Sequence, residues 1–209
     1  DGTWEREMRT ASGDVFKLKK DAQGKPVSFT DKDGDWTGDG NNWTNSKTGE
    51  QKTGTVSLSE YGEFRFESKD KSIVHKTEQH EKIEKVKEQI EKEYGITFAK
   101  PGEFSKNDDG TKQLAGMPTE AELKVLSDSL AKTKHEDYRG MKVWFISPHN
   151  NKEGDTYGTY ENDGTKANKH FGCSAGCGHK HGQTAGGDLV LLPKSRQNLK
   201  GMNGLEGTI

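Results

Sequence analysis

Residues that build cores are scarce in this chain. Its 209 residues include 6 Ile, 11 Leu, 8 Val and 8 Phe, 33 in all or about 16%, below the ~20% under which chains tend toward disorder. The shortage excludes a large core. It does not exclude folding, because 32 Lys and Arg nearly balance 34 Asp and Glu and the high net charge of an unfoldable chain is missing. A net charge of −2 and a pI near 6.4 leave no basic excess for phosphate backbones, and no Lys/Arg cluster is interleaved with aromatics, so no nucleic-acid partner is expected. Apolar runs reach only four residues, as in Val143 to Ile146, far short of the ~18 to 20 residues a bilayer requires, so no membrane span is expected. Neither a glycine-rich phosphate loop nor a serine-nucleophile elbow is present. Gly186-Gly187 precedes an expected strand and does not join a strand to a helix, which disfavours nucleotide chemistry.

What is present divides the chain in two. Residues 1–72 are rich in Gly, Asp, Thr, Asn and Trp, with short alternating runs at Val15-Phe16-Lys17-Leu18, Val27-Ser28-Phe29, Thr55-Val56-Ser57-Leu58 and Phe64-Arg65-Phe66. Period-two alternation puts one face on a core while Gly and Asp punctuate the turns, so short antiparallel strands are expected. Asp1-Gly2-Thr3-Trp4 recurs as Asp33-Gly34-Asp35-Trp36, the pattern of a degenerate β-repeat. Residues 73–209 read as an α+β domain. Ile83, Val86, Ile90 and Tyr94 form one stripe of a helix that Gly95 closes. Lys100 to Gly116 reads as a polar loop. Thr119 and Glu122 form a capping box ahead of Leu123, Leu126 and Leu130. Met141 to Ser147 and Asp188 to Leu192 read as buried strands and Tyr157 to Tyr160 as a shorter one.

One segment concentrates chemistry. His170-Phe171-Gly172-Cys173-Ser174-Ala175-Gly176-Cys177-Gly178-His179-Lys180-His181 holds both cysteines and three of the seven histidines. Thiolate and imidazole ligands at close spacing suit tetrahedral zinc, and Cys173, Cys177, His179 and His181, with His170 nearby, could supply the ligands. Three readings stay open: a zinc site, a small Cys173–Cys177 disulfide loop in an exported protein, or free thiols. Asp31-Lys32-Asp33-Gly34-Asp35-Trp36 begins like a calcium loop, but Trp36 stands where the turn needs Gly and Asn42 where a bidentate Glu belongs, so turn chemistry is expected. Trp4, Trp36 and Trp43 read as core in preference to a ligand platform.

From Leu123-Lys124-Val125-Leu126-Ser127-Asp128-Ser129-Leu130 through Met141-Lys142-Val143-Trp144-Phe145-Ile146, Tyr157-Gly158-Thr159-Tyr160 and Gly187-Asp188-Leu189-Val190-Leu191-Leu192-Pro193, the chain resembles the amino-terminal half of a zincin metallopeptidase of the lethal-factor-like toxin type. The resemblance covers residues 78–209 at most. In that family a helix, strands and a tight loop precede the helix bearing His-Glu-x-x-His, and Leu205-Glu206-Gly207-Thr208-Ile209 resembles its lead-in. The resemblance implies zinc as cofactor, a protein or peptide substrate and a secreted or cell-surface bacterial protein, of which this chain would be an upstream piece. No His-Glu-x-x-His occurs in the 209 residues, so the catalytic residues are unassigned and the chain is expected to be inactive by itself. The other reading is a non-catalytic binding or structural module stapled by the Cys/His cluster.

Overall fold

The computed structural model describes residues 2–106, 112–133, 138–147, 158–161, 187–191 and 196. It is an α+β protein of two compact units, residues 1–82 and 83–209. The division falls beyond the compositional change at residue 72, because the last strand of the first unit follows that change.

The first unit is built from strands short enough for a Gly- and Asp-rich chain to punctuate. β1 (Trp4–Arg9), β2 (Val15–Lys20), β3 (Pro26–Asp31), β4 (Gly34–Gly38), β5 (Asn42–Asn45) and β6 (Gln51–Thr53) make an antiparallel meander. β7 (Thr55–Leu58), β8 (Glu63–Glu67) and β9 (Ser72–Lys76) make a second, three-stranded one. One turn design recurs in three hairpins. Thr10, Asp21 and Ser59 each accept, through the backbone carbonyl, from the N–H of the glycine three residues on, at 2.9, 3.0 and 3.2 Å. Their side-chain oxygens accept from the next N–H, that of Asp14, Lys25 and Glu63, at 3.1, 2.9 and 3.1 Å. Gly13, Gly24 and Gly62 adopt φ of 89°, 78° and 78°, a conformation that other residues enter only with strain.

Alternation then decides the core. Met8, Phe16, Leu18, Phe29, Trp36 and Trp43 from the larger sheet pack with Val56, Leu58, Phe64 and Phe66 from the smaller one. Phe29 lies 5.9 Å from Phe64 between ring centroids, and Phe16 lies 4.8 Å from Phe64. Six aromatic rings thus supply much of what few aliphatics could not. Trp36 and Trp43 are buried, as core, whereas Trp4 is only partly covered.

The helix α1 (Glu78–Tyr94) begins in the first unit and continues into the second. In the second unit follow β10 (Thr97–Phe98), β11 (Phe104–Lys106), β12 (Lys112–Leu114), α2 (Glu120–Leu130), β13 (Met141–Phe145), β14 (Gly158–Glu161) and β15 (Gly187–Leu191). The capping box is complete. The Thr119 side chain accepts from the Glu122 N–H at 3.2 Å, and the Glu122 carboxylate accepts from the Thr119 N–H at 2.7 Å. A four-stranded sheet has the order β10-β13-β15-β14, with β10, β13 and β15 parallel and β14 antiparallel to β15. Ile83, Ile90, Leu123, Leu126 and Leu130 bury one face against Val143 and Phe145. Trp144, Ile146 and Val190 face the other way, with Ala99 and Ala115. That two-sided burial explains why the 143–146 run is continuously apolar.

The expected loop from Lys100 to Gly116 contains the β11–β12 hairpin, a correction to the sequence reading. Phe104 and Leu114 are partners across it, and two such short strands carry too little alternation to be seen. Ala115 also bridges Ile146, so nonlocal pairing adds to what local pattern lacks.

Candidate functional site

The expected metal ligands Cys173, Cys177, His179, His181 and His170 lie outside the described residues. Their place in the chain is nevertheless defined by their flanks. They fall between β14 and β15, whose backbones pair Glu161 with Asp188 and Tyr160 with Leu189. The connection bearing the cluster therefore leaves and re-enters the sheet at adjacent strand ends. Among the described residues, no group of three or more His, Cys, Asp or Glu side chains could hold a metal ion.

Among the described residues of the second unit, a closely bonded polar arrangement surrounds Glu122. Its carboxylate completes the α2 cap and also meets Arg196 Nε at 2.5 Å and Nη2 at 3.1 Å. Arg196 further donates to the Ile146 carbonyl at 2.7 Å and the Met117 carbonyl at 3.0 Å. Two charges taken out of water this way are tolerable only because nearly every polar atom has a partner. The pair ties the chain beyond β15 to the start of α2 and the end of β13. No sequence pattern marks Arg196, which sits in a polar run 74 residues from its partner. Glu122 was visible, but only as half of a helix cap.

In the first unit, Asp31 occupies the position where the calcium-like reading begins. Its Oδ1 accepts from the Asp33 N–H at 2.9 Å and from Trp36 Nε1 at 2.8 Å, while Oδ2 meets Lys52 Nζ at 2.6 Å. The carboxylate is spent on a turn, an indole and an ammonium, which is turn and core chemistry. Lys52 also lies over Trp36, 3.6 Å from the ring centroid, with Phe29 and Phe66 both at 4.8 Å.

A cleft of about 560 Å³ opens beside β9, where Thr10, Ser12, Asp14 and Lys32 face Val74, His75 and Lys76. Its charges are mutually arranged. Lys32 Nζ is 3.0 Å from Asp14, and Ser12 donates to Asp14 at 2.7 Å. The Ser12 hydrogen bond, followed by Lys32, lowers the Asp14 carboxyl below its ordinary range. The His75 imidazole is also lowered, first by burial and then by Lys32, against an opposing pull from Asp14 and Asp31.

Compared with protein-family models, curated proteins and solved structures, the chain matches none. No helix among the described residues is long and apolar enough to cross a membrane.

Proposed function

We propose that residues 83–209 are the leading part of a zinc-dependent metallopeptidase domain of the lethal-factor-like kind, carried in an exported bacterial multidomain protein whose β-rich first unit precedes it. The observation that carries this reading is the succession α2, β13, β14, β15 in one layer system, with β14 paired antiparallel to β15 at the edge of an otherwise parallel sheet. That succession is the one the sequence resemblance implies ahead of a His-Glu-x-x-His helix. Such a helix would set two imidazoles one turn apart on zinc, with a carboxylate near the zinc-bound water. The 209 residues contain no such motif, so they are assigned no catalytic step. Their contribution is to hold the sheet and, through Arg196 and Glu122, to fix the chain beyond β15 against it. The substrate class is protein or peptide.

The test compares the 209-residue chain with the longer product of its own reading frame. The longer product should bind zinc and cleave casein in a chelator-sensitive manner, and the shorter should not cleave. A longer product without zinc-dependent hydrolysis overturns the reading, as does turnover by the short chain that a substitution within it abolishes.

A second reading, a non-catalytic module stapled at Cys173, Cys177, His179 and His181, is favoured by the adjacent strand ends at Glu161 and Asp188, which a staple would tie off. Thiol titration of the unfolded chain before and after chelator and reductant tests it. Released zinc or reductant-dependent thiols support a staple, and two reactive thiols in the folded, metal-free protein exclude one.

A further inference from the structure

We propose that His75 is an acid-sensitive latch: its neutral ring fastens β9 to the core of the first unit, and protonation releases β9 and the first turn of α1 while the six-stranded sheet stays folded. The geometry sets an imidazole between an aromatic wall and charged groups. The ring stacks on Phe16 at 4.4 Å between centroids and 25° between planes, and lies 6.5 Å from Phe64. Its cleft also holds Asp14, Lys32, Arg65, Lys76 and Glu81. A positive charge on the ring gains from the Phe16 face and from Asp14 and Asp31. It loses by burial and by the nearness of Lys32, which together outweigh the two carboxylates.

β9 is the element such a loss would release. It is the outermost strand of its sheet, and the described backbone pairing on its other side is the single bridge Thr10–Thr77. All five of its residues pair with β8, so it is fastened on one edge only, and edge strands are among the elements that open locally. Thr77 transmits the release, because its N–H donates to the Gly62 carbonyl at 2.9 Å while its Oγ1 accepts from the His80 N–H at 3.2 Å and its carbonyl from the Glu81 N–H at 3.0 Å. His80 lies at the same junction, with Nδ1 3.2 Å from the Tyr61 carbonyl and Nε2 3.9 Å from Glu63. The chain passes from the first unit to the second just beyond this segment.

Hydrogen exchange on the full chain at about pH 7 and about pH 5, corrected for intrinsic rates, is the test. Protection over residues 72–82 should fall about threefold or more relative to residues 26–45. His75→Phe, which keeps the stacking and cannot be protonated, should remove the difference. Lys32→Gln should move the His75 midpoint up in an NMR titration and Asp14→Asn should move it down. General acid destabilisation would not reproduce those opposite shifts from the two members of one ion pair. Uniform loss of protection, a difference that survives in His75→Phe, or a His75 midpoint at or above its ordinary 6.5 overturns the proposal.

Discussion

Lys52 sets its ammonium 3.6 Å from the centroid of the Trp36 ring and 2.6 Å from the Asp31 carboxylate that also accepts the Trp36 indole N–H. A lysine from the outermost strand β6 thereby closes the core of the first unit over its central tryptophan. Lys52→Ala removes the cation, its partner interactions and the packing of its stem together, and is expected to cost the first unit about 2 kcal/mol. Urea unfolding followed by tryptophan fluorescence measures it. A loss below about 0.5 kcal/mol, the range of an ordinary surface substitution, would show that Lys52 merely lies on the surface.

Close approach at Gly54 supplies a second prediction. A Cβ there would meet the Glu67 carbonyl oxygen at 2.4 Å and the Phe66 ring at 2.7 Å, while the Gly54 carbonyl accepts from Trp43 Nε1 at 2.8 Å. Gly54→Ala is therefore expected to destabilise the first unit by about 1–3 kcal/mol through overpacking. Gly54→Ala with an unchanged urea midpoint would contradict that close contact.

Much of this architecture was legible beforehand because its causes are local. The alternating runs at 15–18, 55–58 and 64–66 fall in strands with buried Phe16, Leu18, Val56, Leu58, Phe64 and Phe66, and Thr119 with Glu122 began a helix whose three leucines are buried. What was hidden depends on contacts distant in sequence. β10 is two residues long and exists by pairing with β13. Arg196 reaches Glu122 across 74 residues. Lys52 approaches Asp31 across 21. The Cys/His cluster was conspicuous in sequence, but composition alone could not choose between thiolate–zinc and disulfide chemistry.

The Arg196–Glu122 pair predicts strong coupling. Breaking it from one side leaves a buried charge, so Glu122→Gln and Arg196→Met should each destabilise the second unit by about 3–5 kcal/mol. The double variant should cost well under the sum, with a coupling energy above about 1 kcal/mol in a double-mutant cycle. Additive losses would mean that the two side chains do not rely on each other.

Asp39 predicts a response to acid. Its carboxylate accepts from the backbone N–H groups of Asn42 and Asn41 at 2.8 and 3.0 Å, and from the Asn42 side chain at 3.1 Å. Those donors, the Asn42 backbone first, bring its pKa down to about 2 from an ordinary 3.8. A depressed carboxyl stabilises the folded state fully above its unfolded value, and that stability is lost as pH falls toward the folded one. The β4–β5 turn should hold at neutral pH and weaken below about pH 4. Carboxyl NMR should give a midpoint near 2 for Asp39, which Asn42→Ala raises. A midpoint at the ordinary value would contradict the turn geometry.

The peptidase reading is tested most directly by the codons that follow Ile209 in the parent reading frame. A His-Glu-x-x-His sequence within about ten residues is the expected result, since Leu205 to Ile209 resembles the lead-in to that helix and zinc needs its paired imidazoles there. A stop codon, or about twenty further residues without paired histidines, would contradict it, because a helix of that span is long enough to have carried both ligands one turn apart.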